Sequence, residues 1–155
     1  MTSFTTDFLR AVVDTLLPGL PGSDQTIALP AASEIGVDRQ LAHHLATHNN
    51  REQLSQVLEA IAEKSDEMSV FVEADEEAST NILRNVETAD QQAFQALLFV
   101  VSADYYENEE ILRTLGWFAR PPQPDGYPLS PFDETLLAPV KGRQKHWRSQ
   151  EGDHC

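Results

Sequence analysis

The stretch Thr88-Ala-Asp-Gln-Gln-Ala-Phe-Gln-Ala-Leu-Leu-Phe-Val-Val-Ser-Ala-Asp-Tyr105 decides the fold. Phe94, Leu97, Leu98, Val101 and Tyr105 recur at steps of one, three and four, which puts them on one face of a helix. Thr88 followed three residues on by Gln91 has the pattern of a capping box, so the helix is expected to open at Thr88-Ala89-Asp90. Its apolar core, Phe94 to Val101, suits a buried helix and is too short to span a bilayer. This is the expected central helix of an all-α domain.

Toward the N-terminus the same periodicity returns. Phe4 to Leu17 reads as an amphipathic helix capped by Thr2 or Ser3 and ended by Pro18-Gly19. Leu20 to Ser33 reads as a loop, punctuated by Pro21-Gly22 and Pro30. A second helix is expected from Glu34 or Val37 to Thr47, with Asn49-Asn50 breaking it. A third is expected from Arg51 to Asp66, with Leu54, Val57, Leu58, Ile61 and Ala62 on one stripe. Met68 to Val72 is short and β-branched, but no second strand exists to pair with it. It reads as loop or helix start. Glu73 to Val86 reads as a helix with acids at its beginning, where the macrodipole favours them.

Toward the C-terminus, Asn108-Glu109-Glu110 interrupts the central helix. A short helix then runs to Leu115 and Gly116 stops it. Pro121, Pro122, Pro124, Pro128 and Pro131 exclude regular structure beyond Trp117. The expectation is a helical domain over 1–120, with five or six helices, and a proline-rich irregular wrap with a basic tail over 121–155.

The chain has 155 residues, enough for one self-sufficient core, and its net charge is -14. That charge repels phosphate backbones and anionic lipid, so neither nucleic acid nor membrane is an expected partner. Met1 to Arg10 lacks the basic and apolar regions of a secretory or twin-arginine signal. The chain as written is therefore expected to start out cytoplasmic, with export possible attached to a partner. The single cysteine, Cys155, forms no internal disulfide.

Few residues carry chemistry. His44 and His48 share a helix face at a metal-binding spacing, but Leu45 stands where the zincin pattern has Glu, and solvated surface histidines are the favoured reading. Glu151-Gly-Asp-His154 has the Glu-x-x-His spacing of di-iron bundles, but it occurs once and in a polar tail. Asp75-Glu76-Glu77 lacks the pattern of a calcium loop and reads as a solvated helix start. Cys155 has no activating context. Gly19-Leu-Pro-Gly22 is no phosphate loop. No catalytic, cofactor or metal residue is assigned. A stand-alone metal-binding helical enzyme using His44 and His48, and an acidic protein-interaction module, remain as alternatives.

The aromatics concentrate elsewhere, at Tyr105, Tyr106, Trp117, Phe118 and Tyr127. Such side chains join an apolar body to a polar tip, which suits interfaces. They equally suit closing the protein's own core. The five are expected to form or brace a partner-facing surface.

These residues also carry a resemblance. Asp14-Thr-Leu-Leu-Pro-Gly19, then Leu29-Pro-Ala-Ala-Ser-Glu-Ile-Gly-Val37, then Tyr105-Tyr106, Leu115-Gly116-Trp117 and Gly126-Tyr127 resemble, in order and spacing, the gluconate 2-dehydrogenase subunit 3 family. The resemblance implies a non-catalytic small subunit. Its implied partner is a large flavoprotein dehydrogenase subunit of the glucose-methanol-choline type, acting on a sugar or polyol. That partner holds the FAD, and none is implied in this chain. The small subunit is implied to support the folding, stability or export of the large one. Many relatives begin with a twin-arginine signal, which this sequence lacks.

Overall fold

The computed structural model describes residues 3–23, 26–47, 49–117, 133–137 and 139. Among them lie seven α-helices: α1 (Thr6–Leu16), α2 (Val37–Thr47), α3 (Arg51–Lys64), α4 (Met68–Glu73), α5 (Glu76–Ala89), α6 (Gln91–Tyr106) and α7 (Glu109–Thr114). The chain divides into two compact units, Met1–Ala119 and Arg120–Cys155. The first holds all seven helices. The second contains a 3-10 turn at Glu134–Leu137. Among the described residues there is no strand, and no helix is long and apolar enough to cross a membrane. The proline-rich segment and the basic tail lie outside the described residues.

The fold is all-α, as the periodicity requires, and the seventh helix is α4. Two turns of Met-Ser-Val-Phe-Val-Glu form there because Phe71 is driven into the core beside Phe8, ring centroids 5.7 Å apart and edge to face. So short a helix is not stable by itself and depends on that docking.

The helix starts differ from expectation in an instructive way. α1 is capped by Thr5, whose Oγ1 accepts from the Phe8 N–H at 3.2 Å, rather than by Thr2 or Ser3. α5 begins at Glu76, capped by Asp75, which accepts from the Ala78 N–H at 2.8 Å. The capping box at Thr88 does not form. Thr88 lies within α5 and its hydroxyl donates to the Arg84 carbonyl, while Asp90 caps α6 by accepting from the Ala93 N–H at 3.0 Å. A carboxylate at the cap also gains from the helix macrodipole, so aspartate wins over the threonine two residues earlier.

The core is built where these helices cross. α6 packs against α2, α3 and α5; α1 packs against α2, α4 and α5. Phe8, Val12, Leu41, Leu54, Leu58, Ile61, Phe71, Leu97 and Val101 are buried. Leu98 was placed by periodicity on the same face as Leu97. It stands instead at the edge of that face, 37% exposed, and Ala93 and Val100 complete the buried arc.

α7 ends in a Schellman motif. The Gly116 N–H donates to the Arg113 carbonyl at 3.0 Å and the Trp117 N–H to the Leu112 carbonyl at 2.8 Å. Gly116 has φ +78°, the left-handed region in which a Cβ is disfavoured. The Leu115-Gly116-Trp117 sequence is thus a helix stop with a defined geometry, and it delivers Trp117 to the surface.

Candidate interaction surface

Three of the aromatic residues singled out from the sequence are described, and the structure divides them. Tyr105 is 2% exposed. Its hydroxyl donates to the Pro30 carbonyl at 2.7 Å, across 75 residues of chain. It braces the body from inside. Tyr106 is 46% exposed and meets the Tyr105 ring edge to face at 5.1 Å. Trp117 is 70% exposed. Phe118 and Tyr127 lie outside the described residues.

The N-terminal motif segments meet at the same place as Tyr105. The Asp14 carboxylate accepts from the Ser33 N–H at 2.8 Å and from the Ser33 hydroxyl at 2.7 Å. The Leu17 carbonyl accepts from the Ala32 N–H at 3.1 Å. Leu20 and Leu29 exchange two backbone hydrogen bonds. A Cβ on Gly19 would lie 3.2 Å from the Ala31 nitrogen, so the close approach of the two segments there needs glycine or a shift. Asp14, Gly19, Pro30, Ser33 and Tyr105 therefore form one clasp that pins the 20–33 loop to α1 and α6. Their chemistry is structural.

Tyr105 gives this clasp a pH dependence. Burial raises its pKa above the ordinary value of 10.0, and the nearby Tyr106 and Glu34 raise it further. The neutral phenol is thus favoured in the folded chain. Its stabilisation is fully present below pH 10 and is lost as pH rises through the folded-state pKa, because the unfolded chain sheds the proton first. Tyr105→Phe is expected to lower stability at pH 7 by about 1–2 kcal/mol, leaving the Pro30 carbonyl without its donor. It should also reduce the alkaline loss of stability. Urea unfolding of both proteins between pH 7 and pH 11.5 checks this, and parallel pH profiles would contradict it.

The histidine reading is corrected. His44 is not a solvated surface residue. Its Nε2 lies 3.0 and 3.2 Å from the two carboxylate oxygens of Asp104, tying α2 to α6, and both side chains are largely buried. Among the described residues no group of three His, Cys, Asp or Glu side chains is placed to hold a metal. The side chain of His48, Glu151, His154 and Cys155 lie outside the described residues. Asp75 of the acidic run acts as the α5 cap. A groove of about 610 Å³ between α1, α2 and α3 is floored by Phe4, Leu9, Ala42 and Leu45, with Arg51, Glu52 and Glu59 among its lining.

One surface residue escaped the sequence reasoning. Phe99 is 74% exposed in the middle of the central helix. The available signal was its phase. At about 100° per residue, Phe99 falls well outside the Phe94–Leu97–Val101–Tyr105 stripe.

A family model described as gluconate 2-dehydrogenase subunit 3 matches residues 5–128. No curated protein and no solved structure matches the chain.

Proposed function

We propose, from the fact that the chain belongs to the gluconate 2-dehydrogenase subunit 3 family, that it is a non-catalytic small subunit bound to a large flavoprotein dehydrogenase. The large subunit is of the glucose-methanol-choline type, holds the FAD and oxidises a sugar or polyol. This chain holds no flavin and stabilises or helps mature its partner. The observation that carries the reading is the family match across 124 residues, from 5 to 128. It is supported by the placement of Tyr106 and Trp117, polar-tipped aromatics held at the surface of a body with a formed core. The strongly acidic charge would steer a basic surface on the partner toward it.

The test is a pull-down of the tagged full-length chain at native expression, with mass spectrometry and an absorbance spectrum of the eluate. A co-eluting large protein with a flavin spectrum is the expected result. A monomer with no flavoprotein partner would leave the family match as a statement about fold alone. Alanine at Trp117 or at Tyr127 is expected to weaken co-purification while the variant stays folded. An intact pair in both variants would remove those residues from the partner surface.

A further inference from the structure

We draw no further inference here: the strongest candidate, the groove between α1, α2 and α3 floored by Phe4, Leu9 and Leu45, carries none, because Arg51, Glu52 and Glu59 give its lining both signs of charge and nothing in the structure shows what covers it.

Discussion

Phe71→Ala is expected to lower the stability of the protein by about 4 kcal/mol, since the ring is buried and its removal leaves a cavity. The loss should be concentrated in one element. α4 has six residues and Phe71 is its one fully buried side chain. Without that ring, nothing comparable holds two helical turns against α1 and α3, and backbone hydrogen bonds alone do not sustain so short a helix. Urea unfolding should show a lowered midpoint with a nearly unchanged m-value. Amide exchange at 68–74 should accelerate more than at α6. A loss under about 1.5 kcal/mol would mean that Phe8 and its neighbours refill the space, against the edge-to-face geometry seen here.

Asp14→Ala is expected to cost about 2 kcal/mol, the scale of hydrogen bonds to a charged acceptor. The carboxylate receives both the N–H and the hydroxyl of Ser33. The consequence should be loosening of the 20–33 loop rather than of the helical core. Ser33→Ala removes only the hydroxyl and should cost less. The double variant should be about 1 kcal/mol less destabilised than the sum of the two, because the two residues share one interaction. Strict additivity in a double-mutant cycle would mean that the clasp is not energetically coupled.

These two residues differ in what made them visible. Phe71 lies in a run that reads as loop or helix start, and only docking beside Phe8 makes it helical. Asp14 stood in a quoted motif, but its purpose was hidden, since its partner is 19 residues away. Tyr105 was expected to form or brace a partner-facing surface, and the sequence left open whether it closes the protein's own core. The structure puts it inside, with its hydroxyl on Pro30. Tyr106, its neighbour, is on the surface, because adjacent helical residues are rotated by about 100° and cannot share an environment. His44 looked like a solvated residue until Asp104, 60 residues on, supplied its partner. Phe99 was passed over because it sits inside an apolar run. Within such a run composition cannot say which residue faces out.

The sequence by itself determined every helix except α4, and most of their ends. Three- and four-residue spacing is a local property of the chain, and Pro18, Gly116 and the asparagines at 49 and 50 act on the backbone beside them. It also determined that no sheet would form among these segments, since none alternates with period two beside a pairing partner. The tertiary structure alone decided which arc of α6 is covered, that Asp90 rather than Thr88 caps it, and that Asp14, Ser33, Pro30 and Tyr105 meet. Those outcomes depend on the angles at which helices dock and on the path of the loop. They are settled by contacts between residues far apart in the chain, which no local pattern encodes.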